Sequence, residues 1–316
     1  MAQFTRTSNG LSRRALLQGM GAAAVLGLGG GLLPRRALAQ QGATGPSAFY
    51  RFMLGDLEMT IIQSTGFQIP ATNFAVNADE ADLIGALEAN NYPTGAQNAM
   101  VDVTLVRSGD ALALFDTGVP RQGSRLMPTL AALGVAPEDI TNVIITHFHG
   151  DHLSGIVGES GLAFPNASVH FPQAEYDFLQ SVTGNDNVNN ALSQLQLAED
   201  ADQLVLYASE EELLPGIMPF ATLGHSPGHH SIMVSSGGQN YVNIADVAAH
   251  PFISLYNPDW HFGFDADGVM AAETRRALLQ RAVDEKLIVF GYHFPFPGIG
   301  VVDTDGDGYR FLPLGV

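Results

Sequence analysis

Four candidate ligands stand within six positions in the run "THFHGDH" (Thr146–His152): His147, His149, Asp151 and His152. The chain has no cysteine, which excludes Cys-ligated zinc, iron–sulfur clusters, thiol nucleophiles and disulfides. Any metal must therefore sit on His, Asp and Glu, donors that suit zinc best and also take manganese, cobalt or iron. In extended backbone, residues two apart point the same way, so His147 and His149 address one point. Asp151 and His152 follow a bend that Gly150 permits and address a second point nearby. Two such points describe a dinuclear site, where a water between two divalent cations becomes hydroxide near neutral pH.

One loop would leave both cations open, and three further candidates close other apolar runs. "ATLGHSPGHHSIMVSS" (Ala221–Ser236) reads as a short strand, a Ser-Pro-Gly turn and a second strand. His225 stands at the loop mouth, whereas His229 and His230 already open the next strand, so His225 is the ligand and the other two support or pack. "YVNIAD" ends in Asp246, whose two oxygens can bridge two cations. "LIVFGYHFPF" brings His293 to the end of another apolar run. Asp116, in "LFDTG", is read as a supporting carboxylate that holds a ligand imidazole by its free N–H.

The elements that must carry these groups are legible as runs. "MTIIQST", "VDVTLVRSG", "ALALF", "NVIIT", "ASVHF", "HHSIMVSS" and "NYVNIAD" read as strands. "SRLMPTLAALGV" has helical spacing, with Pro128 in its first turn or kinking it, and ends on Gly134. Short helices are expected around Gln173–Leu179 and Asn189–Leu197. Asp267 can cap a helix over about Gly268–Asp284, with Val269, Ala272, Leu279 and Val283 on its apolar face. Two groups of strands separated by helices imply an α/β chain of two sheets packed face to face with helices outside.

The first 39 residues differ in kind. Arg13 and Arg14 precede a Gly/Ala-rich apolar run too short to span a bilayer, and "ALA" closes the stretch. This is a twin-arginine type of signal peptide, cut after Ala39, leaving a single domain over 40–316 that is periplasmic or secreted. The signal carries five arginines and no acid, so its removal moves the net charge from −18 to −23. Such acidity argues against nucleic-acid and membrane partners and for a small neutral substrate.

In their order along the chain, Asp116, the His-x-His-x-Asp-His run, His225, Asp246 and His293 resemble the metallo-β-lactamase-fold hydrolases. The resemblance implies a four-layer αββα sandwich with a dinuclear site at one edge. It assigns His147, His149 and His225 to one metal, Asp151, His152 and His293 to the other, and Asp246 to a bridge, with Asp151 or Asp246 moving a proton. Within that family the chain is most similar to the methyl parathion hydrolase group, close to the quorum-quenching lactonases, over about Tyr50 to Pro313. "FDTG", "LAALGVAPEDITNVIITHFHGDHLSG", "GHSPGH" and "HFPFPGIG" carry that likeness. It implies cleavage of lactones, aryl esters or organophosphate triesters by two divalent ions, and by analogy a homodimer. Two positions depart from it: Ala249 stands where many such lactonases have Tyr, and Val119 is not the loop aromatic of the phosphotriester enzymes.

Phe148, Trp260, Phe262, Phe264, Phe294 and Phe296 lie near the ligands in sequence and are candidates for an apolar pocket wall. His170, His250 and His261 read as structural, the last two with a place at the pocket fringe as the alternative. "DTDGDG" opens like a calcium loop but lacks the closing Glu and reads as a hairpin turn. The competing functions are an iron-dependent, dioxygenase-like oxidoreductase on the same fold and a β-lactamase. No Lys or Ser stands out to anchor the carboxylate that a β-lactam carries.

Overall fold

The computed structural model describes residues 40–41, 49–120 and 122–314. The signal expected over 1–39 lies outside the described residues. β1 (Gln40–Gln41), β2 (Phe49–Leu54), β3 (Leu57–Pro70), β4 (Ala96–Ser108) and β5 (Ala111–Phe115) form an antiparallel meander, each strand beside the one before. α1 (Glu80–Ala89), which the sequence reading did not anticipate, leaves and re-enters this meander between β3 and β4. β6 (Asn142–Ile144) then joins β5 in parallel after α2 (Leu126–Ala132), because a parallel pair needs a crossover. α3 (Gly150–Leu153) is a single turn, followed by the ribbon of β7 (Val157–Gly158) and β8 (Gly161–Leu162). β9 (Ser168–Pro172), α4 (Gln173–Ser181), α5 (Asp186–Asp200) and β10 (Leu204–Tyr207) complete an eight-stranded sheet whose second half is parallel.

The second sheet has six strands. β11 (Ile217–Ala221), β12 (His230–Ser236) and β13 (Gln239–Asn243) are antiparallel, the last two joined by Gly237 and Gly238 at φ +57° and +75°. Paired left-handed residues are what a tight two-residue hairpin demands, so these glycines make a turn. α6 (Ile253–Tyr256) and α7 (Gly268–Glu285) intervene before β14 (Ile288–Phe290), which pairs in parallel with β13. β15 (Ile299–Asp305) and β16 (Gly308–Pro313) close the sheet, and "DTDGDG" is the hairpin between them.

Burial follows from this order. Leu114, Phe115, Val234, Tyr241 and Phe290 belong to one apolar cluster drawn from both sheets, and the Tyr241 hydroxyl meets Thr104 Oγ1 across it at 3.1 Å. Leu130 of α2, Leu179 of α4 and Val188, Ala191 and Leu195 of α5 pack on the first sheet within the same cluster. Leu278, Leu279 and Ala282 of α7 pack with Met233, Val242 and Val289 of the second. The fold is thus a mixed α/β sandwich with helices outside two sheets, as expected.

Four local readings need correction. The strands stop short of the ligands: β6 ends at Ile144, β13 at Asn243 and β14 at Phe290. Asp151 and His152 sit on the helical turn α3, and Gly150 does not use a left-handed φ there. α5 starts three residues before Asn189, at Asp186, because the Asn185 side chain accepts from the N–H groups of Asn187 and Val188. On α7, Asp267 caps as expected, but Val269 is 63% exposed and buried Arg275 stands on the inner face instead.

Candidate metal centre

The ligand candidates come from loops at the same edge of both sheets, outside the carboxyl ends of β5, β6, β13 and β14 and in the β11–β12 turn. Open α/β sheets gather ligands at such ends. Asp116 follows β5, His147 and His149 follow β6, and α3 carries Asp151 and His152. His225 lies four residues past β11, Asp246 on a 3₁₀ turn (Ala245–Val247) past β13, and His293 three residues past β14. Ala245 takes φ +44°, a strained value that aims the next side chain inward.

The structure brings all seven candidate ligands into two groups, His147, His149, His225 and Asp246 in one, Asp151, His152 and His293 in the other. Asp246 spans them. Its Oδ2 lies 3.1 Å from His225 Nε2 and 3.9 Å from His147 Nε2, while Oδ1 lies 3.2 Å from both His152 Nε2 and His293 Nε2. Asp151 Oδ2 is 3.5 Å from His293 Nε2 and 3.8 Å from His152 Nε2.

The outer nitrogens of the imidazoles decide what the inner ones offer. His293 Nδ1 donates to the Met100 carbonyl at 2.6 Å, His152 Nδ1 to Asp116 at 2.9 Å and His225 Nδ1 to Asp265 at 3.0 Å. Thr146 Oγ1 spends its proton on Asp116, so at 3.1 Å it accepts from His147 Nδ1. Four Nε2 lone pairs are thereby turned toward one centre that already holds two carboxylates. His147 Nε2 and His225 Nε2 also lie 3.0 and 2.9 Å from His149 Nδ1. Among the described residues, buried His152 Nε2 and Asp246 Oδ1 have no hydrogen-bond partner. Converging lone pairs repel unless a cation or proton stands between them, so the donor set fits divalent ions.

The electrostatics agree. Burial, reinforced by the neighbouring His225, holds His149 down to about 3, and burial with His152 beside it keeps His147 well below the usual range. Burial also works against charge on His225, but Asp246 and Asp265 outweigh it and lift that group to about 9. His152 and His293 are raised against burial by Asp246 and the other acids. Asp246, although buried, is held well below the carboxylate range by His293, His152 and His225.

Asp116 stands where a supporting carboxylate was expected. It is fully buried, bonds His152 Nδ1, and accepts from the Thr146 N–H at 2.8 Å. Three supporting residues escaped sequence reading. Asp265 does for His225 what Asp116 does for His152, and also accepts from the Phe262 N–H. Buried Arg275 donates to the Val247, Pro258 and Trp260 carbonyls and lies 3.4 Å from Asp265. Glu175 is wholly buried on α4. A usable signal existed for two of them, since Arg275 and Glu175 fall on the buried faces of their helices, beside Leu279 and Leu179. His229 Nε2 accepts from the Asp246 N–H at 3.2 Å, and His230 bonds the Gly228 carbonyl. His170 bonds Asn142, and His250 caps α6 by accepting from the Phe252 and Ile253 N–H groups.

A cavity of about 250 Å³ opens over the cluster. Phe148, Phe262 and Phe264 line it as expected, with Phe264 56% exposed at the rim. Phe294 and Trp260 do not, because their rings are buried in the clusters under α7 and around Phe74, and Phe296 packs against the inter-sheet core. His250 and His261 are absent from the lining as well. Phe67 and Ile69 from β3 and the amides Asn187, Asn190 and Gln194 from α5 also line it. Among the described lining residues there is no Lys or Arg.

A profile of the Metallo-beta-lactamase superfamily matches residues 97–293. An N-acyl homoserine lactonase of Bacillus cereus is 27% identical over 169 residues, 54% of this chain and 62% of its own length. The chain thus spans less than two thirds of the curated relatives that it matches first. Among solved structures, AidC, a dizinc quorum-quenching lactonase in complex with a product, N-hexnoyl-L-homoserine, superposes with TM-score 0.79 at 27% identity, over 85% of this chain and 98% of AidC. The hydrolase AbOPH of the beta lactamase superfamily shares the fold at TM-score 0.76 and 23% identity, over 85% and 98%. With a profile matched from before the first candidate ligand through His293, this chain belongs to the metallo-beta-lactamase superfamily.

Proposed function

We propose that the chain is a dinuclear metal-dependent hydrolase that opens neutral lactones, with aryl esters and organophosphate triesters as the other ester classes suited to its site. The observation that carries this reading is the division of Asp246 between two groups of inward-facing imidazoles. His147, His149 and His225 would hold one ion and Asp151, His152 and His293 the other, with Asp246 shared. Two divalent ions in such a site, zinc above all, supply a hydroxide nucleophile at neutral pH and polarise the oxygen of the ester under attack.

The chain's own residues do the rest. Asp116, Asp265 and the Met100 carbonyl fix the tautomers of three imidazoles so that their lone pairs stay inward. Asp151, the carboxylate of the cluster that reaches solvent, is 21% exposed and is placed to carry a proton to the departing oxygen. Phe67, Phe148, Phe262 and Phe264 exclude water from one side of the substrate, and the α5 amides solvate its polar groups. A described lining without Lys or Arg suits neutral esters and offers no anchor for the carboxylate of a β-lactam. The lactonase relatives favour lactones among these classes. The twin-arginine signal read at 1–39 would place the activity in the periplasm or outside the cell.

A panel of acyl homoserine lactones, aryl esters and phosphotriesters, run after reconstitution with zinc, manganese and cobalt, tests the proposal. Lactone turnover that a chelator abolishes is expected. Iron in the isolated protein together with oxygen consumption would replace it with the oxidoreductase reading.

A further inference from the structure

Glu175 stands in the first turn of α4, directly after β9, and none of its surface is exposed. No ion pair of the described residues includes it. Its carboxylate is instead filled by three donors from two different loops. Oε1 accepts from Ser226 Oγ at 2.5 Å and from the Phe148 N–H at 3.2 Å, and Oε2 accepts from the Gly228 N–H at 2.6 Å. Phe148 lies between His147 and His149 on the first sheet's loop; Ser226 follows His225 on the second sheet's loop. Gly228 approaches so closely that a Cβ there would fall 2.2 Å from the Glu175 nitrogen, so only glycine seats the turn.

From this juxtaposition we infer that Glu175 is a positioning residue that clamps both loops carrying His147, His149 and His225 and so sets the affinity of that half of the centre. Among the described residues, no hydrogen bond of Glu175 reaches α3 or the loop of His293, which carry Asp151, His152 and His293, so its effect should fall chiefly on one of the two groups. The Ser-Pro-Gly turn after His225 thereby gains a function. It presents a hydroxyl and an N–H to a single buried carboxylate, which makes the turn an extension of α4.

Glu175→Gln tests this with little change of shape. In either orientation the amide sets its NH2 against a backbone N–H, that of Gly228 or that of Phe148, so one loop must let go. The inference rests on the dinuclear reading, and the experiment separates the two. Zinc is titrated into chelator-treated protein against a competing chromophoric chelator, with circular dichroism as the check on folding. Wild-type protein should take two equivalents; fewer would contradict the dinuclear reading itself. In Glu175→Gln one equivalent should weaken by about 10–100-fold while the other holds, as loss of a ligand's supporting contact does. Equal affinities in variant and wild type, or equal weakening of both equivalents, would overturn the inference. Ser226→Ala removes one donor without disturbing α4, should weaken the same equivalent by a smaller factor, and decides the question if the glutamine variant does not fold. An unchanged Ser226→Ala would then count against the clamp.

Discussion

Three histidines crowd the turn around Ser226-Pro227-Gly228, and their surroundings give them separate tasks. His225 turns Nε2 toward Asp246 and Nδ1 toward Asp265, His229 accepts from the Asp246 N–H, and His230 bonds a carbonyl beside Tyr207. His225→Ala is expected to bind one zinc fewer by elemental analysis, while His230→Ala keeps the full complement; equal zinc in all three proteins would contradict the ligand assignment. The shift of His225 from 6.5 to about 9 sets a pH dependence. Because the folded value lies above the ordinary one, the protonated His225 stabilises chelator-treated protein fully below pH 6.5, and this contribution fades as pH rises through about 9. Metal uptake must displace that proton, so it strengthens over the same range, by up to about tenfold per pH unit for each proton released. Calorimetry should show the gap in Tm between zinc-loaded and chelated protein widening from pH 6.5 to 9; a gap that does not widen would show that metal uptake releases no proton from His225.

At the scale of elements, α7 is the support of the His225 side. Arg275 projects from it into the interior and joins the Val247, Pro258 and Trp260 carbonyls to Asp265. Arg275→Leu would strand Asp265 and these carbonyls in a buried place. A loss of about 3–5 kcal/mol in denaturant unfolding is expected, as when one partner of a buried ion pair is removed; a loss under about 1 kcal/mol would show that the network is not needed for stability. What was legible beforehand follows the same division. Runs rich in β-branched and aromatic residues, such as Val143–Ile145 and Tyr241–Ile244, marked strands, and the acid or histidine just past each run marked the candidate ligands, because periodicity and strand ends are local properties. Glu175 and Asp265 act on residues 53 and 40 positions away, a separation that no local pattern records. The α5 wall of the cavity was missed for the same reason, since the helix was visible but its position over the centre was not. Trp260 and Phe294 lie close to ligands along the chain yet point into other clusters, so proximity in sequence overstated the aromatic wall.

The whole molecule carries a formal charge of −18, and the described cavity lining adds no cation to offset it. A lactone bearing an added carboxylate should therefore show a kcat/KM about tenfold or more below its neutral counterpart at low ionic strength, with the gap closing as salt rises. A gap that ignores salt would place the discrimination in local shape instead. The proposed hydrolysis would depend on both halves of the centre, joined through Asp246. The most direct test is a zinc titration of chelator-treated protein in which hydrolysis of an acyl homoserine lactone is followed in the same samples. Full activity should arrive with the second equivalent of zinc. Lactone left intact at two bound equivalents, or full activity already at the first, would contradict a dinuclear lactone hydrolase.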